Sequence, residues 1–156
     1  MTTGPTAPTP LRLAEHPFFR GMDAAFVAHL ERAAAERSWP AGSYLFEQGG
    51  PADTFYLLFE GKVALELGAP DRARVTIETL GPRDVLGWSW LVPPHRWRFD
   101  ARAVKATRAL ALGADALVRR LEERPAEGYR FLMHLVPVIG ERLERARVQV
   151  LDLYGH

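Results

Sequence analysis

The chain has 156 residues, 47% of them apolar and 25% charged, which fits one globular domain with a core of its own. It contains no cysteine, so disulfides, zinc ribbons, iron–sulfur clusters and thiol nucleophiles are excluded together. With 20 basic and 19 acidic residues the formal charge is +1, and no global field draws the protein to nucleic acid or to a membrane.

Met1–Pro10 carries four Thr, three Pro and no charge. This reads as a disordered tail without the basic start or apolar stretch of a signal peptide, so a cytoplasmic protein is expected. The uncharged stretches Val85–His95 and Phe131–Gly140 are about half the length needed to span a bilayer. Leu11–Arg37 reads as helical, with Asp23 as N-cap and Phe26, Val27, Leu30, Ala33 and Ala34 on one face. The pattern breaks at Trp39-Pro40-Ala41-Gly42.

From Ser43 to Leu112 the period changes to short apolar runs: Tyr44–Phe46, Phe55–Phe59, Val63–Leu67, Val75–Leu80, Ala101–Val104 and Ala109–Leu112. Their spacing predicts a small antiparallel barrel or sandwich. After Gly113, Asp115 is expected to cap a short helix ending near Glu123, and Pro125 suits the first turn of a last, long one. On that helix Leu132, Leu135, Ile139, Leu143, Ala146, Val150 and Leu153 follow a near-heptad spacing. The seam runs beyond what packing on a barrel requires. A homodimer is therefore expected through Leu135, Ile139, Leu143, Ala146, Val150 and Leu153. Three segments follow: the tail 1–10, a barrel domain with its helices 11–124, and a dimerisation helix 125–156.

Candidate chemistry is sparse. The five histidines (His16, His29, His95, His134 and His156) are scattered, with no spacing that builds a metal site. No nucleophile elbow or phosphate loop is present, so the protein reads as a non-enzyme with neither metal nor catalytic residues. The alternative, a small barrel enzyme, would need carboxylates such as Glu66, Glu78 and Asp100 to converge. Mixed Arg and Glu over 119–147 reads as a solvated helix face, and no DNA-reading element follows it.

The unusual stretch is Leu86–Arg102. Three of the four tryptophans lie here within ten residues, among Arg96, Arg98 and Arg102. One reading is an aromatic plug for a barrel end. The other is a pocket built by Gly87, Trp88, Ser89, Trp90, Arg96, Trp97 and Arg98, in which Gly87 opens a short helix whose N–H groups, with an arginine, hold an anion.

The order of elements and the run Trp39–Val63 resemble the cyclic nucleotide-binding domain family. Gly42, Gly49, Asp53, Tyr56 and Gly61 fall on its "P-x-G-x-x-[IL]-[FI]-x-x-G-x-x-[AG]-[DE]" and "[FY]-x-[IVL]-x-x-G-x-[VL]" positions. Leu80–Gly87 is similar to its "L-x-x-G-D-x-[FI]-G" approach to the phosphate-binding cassette, with Arg83 at a usual Gly. The resemblance implies a mainly β fold with flanking helices, a jelly-roll barrel (double-stranded β-helix) between an N-terminal helix and a long C-terminal helix. It also implies a regulatory role, with helix movement passing a signal to a protein partner.

In the family a Glu just after the cassette glycine takes the ribose hydroxyl, and an Arg about nine residues on pairs with the cyclic phosphate. Here those positions hold Trp88 and Trp97. A Thr-Ser pair on the long helix of some members is matched by Ala146 and Arg147, which makes Arg147 a candidate lid. Losing both the Glu and Arg contacts removes about 3–5 kcal/mol, some hundredfold to several thousandfold in affinity. Either Arg96 or Arg98 substitutes and a cyclic nucleotide or other anionic aromatic ligand binds, or nucleotide binding is lost and the domain serves a protein partner.

Overall fold

The computed structural model describes residues 9–68, 71 and 73–154, and of Leu153 and Tyr154 only the backbone. The first eight residues of the expected tail, and the side chain of Leu153, lie outside that description. Two 3-10 turns, Leu13–Glu15 and Pro17–Phe19, lead to α1 (Ala24–Ala33). Six strands follow: β1 (Ala35–Trp39), β2 (Tyr44–Phe46), β3 (Thr54–Leu67), β4 (Val75–Leu80), β5 (Val85–Leu86) and β6 (Asp100–Gly113). The chain ends in α2 (Ala114–Glu123) and α3 (Pro125–Tyr154). The antiparallel sheet runs β1-β6-β3-β4, with β2 on β6 and β5 on β3, and curls into a barrel-like roll that does not close.

The continuous helix expected over Leu11–Arg37 is corrected at both ends. Asp23 does cap α1, its carboxylate accepting from Phe26 N at 3.1 Å. The helix stops at Ala33, and Ala35–Trp39 pairs in register with Ala111–Thr107 of β6. Helix propensity in Ala33-Ala34-Ala35-Glu36-Arg37 is overridden by an available strand edge, an outcome that local propensity cannot foresee. Asp115 lies in the first turn of α2, where its charge suits the helix dipole, but the cap position is Gly113.

Two pairs of predicted strands prove to be single long ones. Gly61 marks a bulge inside β3, not a turn between strands. It has φ +98°, and a Cβ there would lie 2.4 Å from both Ala106 O and Thr107 Oγ1, so only glycine fits. β3 therefore runs 14 residues against an equally long β6, giving the roll its spine.

Strand alternation divides the core in two. Phe55 and Leu57 of β3, with Leu110 and Leu112 of β6, face α1, α2, α3 and the N-terminal turns. The intervening Tyr56 and Leu58, with Ala101, Ala109 and Ala111, face the interior of the roll. The first turns of α3 belong to the outer core: Phe131 and Leu135 are fully buried beside Phe18 and Phe19. Leu135, expected in a dimer seam, is thus occupied within its own chain.

His16 ties the N-terminal turns to the roll. Its Nε2–H donates to Leu58 O at 3.0 Å and its Nδ1 accepts from Phe18 N at 3.1 Å, which fixes a neutral tautomer. Burial is the main cause that pulls its pKa below the ordinary 6.5, outweighing the nearby carbonyls and Asp84. The unfolded chain therefore binds this proton more readily, so the His16 contribution to stability is complete above about pH 6.5 and declines as pH falls below it. Denaturant melts at pH 7.5 and 5.5 are expected to show a loss in the native protein that is smaller in His16→Gln.

Candidate functional site

The site grows from the crossing of three segments: the loop between β5 and β6, the Gly49–Ala52 turn, and α3. Gly87 leaves β5 with φ +95°, and a Cβ on it would sit 2.7 Å from Trp97 Cη2. No helix forms after it, contrary to the expectation of a short anion-holding helix. Two overlapping turns close instead, with Leu91 N donating to Trp88 O at 2.9 Å and Val92 N to Ser89 O at 3.2 Å. Those donors are used within the loop.

Farther on, the loop is stitched to the Gly49–Ala52 turn. Trp97 N donates to Gly50 O at 2.9 Å, Gly49 N to Trp97 O at 2.8 Å and Ala52 N to His95 O at 2.9 Å. That pairing fixes which side chains turn inward. Trp97 enters the roll, is 5% exposed, and stacks on Phe46 with centroids 3.7 Å apart and planes 8° from parallel. Tyr56 lies beyond at 6.5 Å. The alanines at 101, 109 and 111 make room inside the roll, and these aromatic rings fill it.

Arg96 and Arg98, the two arginines expected at an anion, are both exposed, and Arg96 Nη1 donates to Gly49 O at 3.2 Å. The extended backbone that sends Trp97 in sends its neighbours out. Trp90 also leaves the predicted pocket. It is buried in the outer core against Phe55 and Phe131, and its indole N–H donates to Gly87 O. Ser89 is buried behind it. Arg147, the candidate lid, is exposed and paired with Glu144 at 3.2 Å.

The cation at the site is one that periodicity passed over. Arg142 of α3 is 5% exposed, and its guanidinium lies 4.7 Å from the ring centroid of half-buried Trp88. It donates through Nη2 to Val85 O. The Glu78 carboxylate of β4 stands 3.6 Å from both Arg142 Nε and Arg145 Nη1, close enough for Coulomb attraction but beyond hydrogen bonding. Burial lowers the Arg142 pKa and raises that of Glu78; in each case the partner's opposite charge resists. Arg142 Nε and Nη1 have no hydrogen-bond partner. The signal was present: Phe131, Leu135 and Arg142 lie four and seven residues apart, on one helix face.

Between β4 and α3 runs a groove of about 1200 Å³, floored by Leu65, Ile77 and Phe99 and walled by Trp88, Ile139, Leu143 and Ala146, with Arg142 along one side. The three carboxylates of the enzyme alternative are each tied to arginine. Asp100 pairs with Arg74 and accepts from Gln48 N at 2.7 Å, Glu66 holds Arg102 at 3.0 Å, and Glu78 faces Arg142 and Arg145. Among the described residues no group of three acidic or His side chains is arranged to hold a metal, and no helix is long and apolar enough to cross a membrane.

An antiparallel roll with a glycine-led loop after β5 and a long C-terminal helix alongside β4 is the architecture that the glycine motifs imply. The family model described as "Cyclic nucleotide-binding domain" matches residues 36–124, more than half of the chain, and the protein belongs to that family. The chain is 28% identical over 141 residues to a CRP-like cAMP-activated global transcriptional regulator of Mycobacterium tuberculosis, covering 90% of this chain and 61% of the relative. It thus spans about three fifths of the length of that relative.

Among solved structures, Thermus thermophilus catabolite activator protein superposes with a TM-score of 0.69 at 27% identity, covering 89% of this chain and 63% of the other. The N-terminal domain of a Streptomyces coelicolor transcriptional regulator does so with a TM-score of 0.64 at 28% identity, covering 85% and 92%. The fold is the jelly roll that the sequence motifs imply.

Proposed function

We propose that this chain is a non-enzymatic regulatory domain that keeps the cyclic nucleotide-binding fold and has exchanged the contact chemistry of its cassette. One observation carries this reading. Trp97 stands inside the roll where the family's phosphate-pairing arginine is expected, and Arg96 and Arg98 on either side of it are exposed. Trp88 replaces the ribose-binding carboxylate and sits under Arg142. A cyclic nucleotide therefore meets indole where it needs a carboxylate and a guanidinium, and its affinity is expected to fall from micromolar to roughly millimolar. Isothermal titration of the folded protein with cAMP and cGMP should show no binding at micromolar concentrations. Micromolar binding that disappears in an Arg96→Gln/Arg98→Gln variant would overturn the reading.

The output element in this proposal is α3, acting in a homodimer. Leu132, Val136, Leu143 and Val150 form an exposed apolar stripe along α3 beside the face that buries Leu135 and Arg142; Val136 is 58% and Leu143 52% exposed. Ile139 is half-buried at its edge and Ala146 is exposed nearby. The stripe keeps Leu143 and Val150 of the expected seam, with Ile139 and Ala146 beside it, and has Val136 in place of Leu135, because Leu135 faces inward. A second copy placing the same stripe against it buries both. Sedimentation should give twice the monomer mass. Leu143→Glu should sediment as a folded monomer, whereas Leu135→Glu should fail to fold. A Leu143→Glu variant that stays dimeric counts against the seam.

A further inference from the structure

We infer that the groove between β4 and α3 takes a ligand with an apolar or aromatic body and a single anionic group, and that Arg142, from the long helix rather than the 87–98 loop, pairs with that charge. The inference rests on the proposed loss of cyclic-nucleotide contacts, since it assigns the same opening a different chemistry. Its ground is an imbalance in the groove. Arg142 is buried with two of its nitrogen donors unpartnered. The nearest carboxylate, Glu78, is shared with a second cation, Arg145, at the same 3.6 Å. Glu141 reaches Arg145 only at 4.0 Å from an exposed position. Two guanidiniums thus share the Glu78 carboxylate, and Asp84 adds a negative charge that attracts Arg142 without partnering its free donors.

Thr76, Thr79, Gln149 and Asp152 also line the groove, while Leu65, Ile77, Phe99, Trp88 and Leu143 supply an apolar floor and walls suited to a ring or short hydrocarbon. Stacking on Trp88 holds the Arg142 fork in one orientation, and a planar fork pairs well with a carboxylate or a phosphate. The free donors of Arg142 are covered in this state. An incoming anion reaches them by taking the place of Glu78, so binding exchanges the partner that ties α3 to β4. Ligand entry thus breaks one of the two arginine contacts, from Arg142 and Arg145, by which Glu78 holds α3 to β4.

The test is calorimetric titration, at fixed ionic strength, with 1-naphthyl phosphate, 1-naphthoate and the uncharged 1-naphthalenemethanol. At least one of the anions should bind at one site per chain about tenfold or more tighter than the alcohol, the size expected for a charge-assisted hydrogen bond. The preferred anion identifies phosphate or carboxylate as the natural group. Arg142→Gln should erase the difference between anion and alcohol, and Glu78→Gln should strengthen anion binding several-fold by removing the competitor. Arg142 is buried, so if its variant does not fold, the Glu78→Gln titration decides by itself. Arg96→Gln/Arg98→Gln should leave all three affinities unchanged.

Equal affinity for the alcohol and both anions overturns the inference, as does a Glu78→Gln variant with unaltered anion binding; both outcomes leave the proposed function standing. Micromolar cAMP binding that the Arg96/Arg98 double variant abolishes overturns the proposed function instead, and that variant tells the two failures apart.

Discussion

Gly87→Ala is expected to destabilise the fold by about 3 kcal/mol or more, an unusually large effect for one added methyl group. Two causes combine. The backbone at Gly87 has φ +95°, where an L side chain is strained, and the new Cβ would lie 2.7 Å from Trp97 Cη2, 2.9 Å from Cζ3 and 3.1 Å from Thr54 O. Trp97→Ala alone is expected to cost about 3–5 kcal/mol through the cavity left beside Phe46 and Tyr56. The double variant should cost less than the sum, because removing the indole removes the collision and leaves only the backbone strain. Denaturant melts of the four proteins measure this directly. Strict additivity would mean that Gly87 and Trp97 are not in contact, and the filled roll would lose its main support.

Phe131→Ala should be as severe, at about 3–5 kcal/mol against a total stability of about 5–15 kcal/mol for a domain. Phe131 has no exposed surface and makes edge-on contacts with Phe18 at 5.3 Å, Phe55 at 5.8 Å and Trp90 at 6.2 Å. It is where the N-terminal turns, β3, the cassette loop and α3 meet, so its loss should loosen all four at once. Thermal melting checks the magnitude, and hydrogen exchange checks its reach. Protection should fall in Pro17–Phe19 and in the first turns of α3 together. A loss confined to α3 would show that the N-terminal turns do not depend on it.

Local chemistry was legible where it decided structure by itself. Asp23 is a cap because its carboxylate reaches a free N–H nearby, and Pro125 starts α3 because a first helical residue needs no donor. The bounds of β2 and β4 follow from turn residues on either side. Tertiary partners decided the rest. β1 is a strand only because β6 offers an edge, and Gly61 is a bulge only because β6 continues opposite it.

At the site, the glycine spacing identified the fold, while the direction of Trp97 depended on its hydrogen bonds to Gly49 and Gly50, some fifty residues away in sequence. Whether Arg96, Trp97 or Arg98 turned inward was therefore open until the register was known. Arg142 was hidden for another reason. An apolar periodicity search skips a charge on the buried face, and the one seam drawn along α3 combined residues from its inward and outward sides.

The central claim is that indole occupies the place of a nucleotide contact. The most direct test follows the tryptophan indole N–H signals by NMR, with Trp97 and Trp88 assigned from Trp→Phe variants, while cAMP is added to millimolar concentration. The account predicts that neither signal moves along a saturable micromolar curve. A saturable micromolar shift at Trp97 and Trp88, with the protein still folded, would show that the roll opens to the nucleotide and would contradict the account.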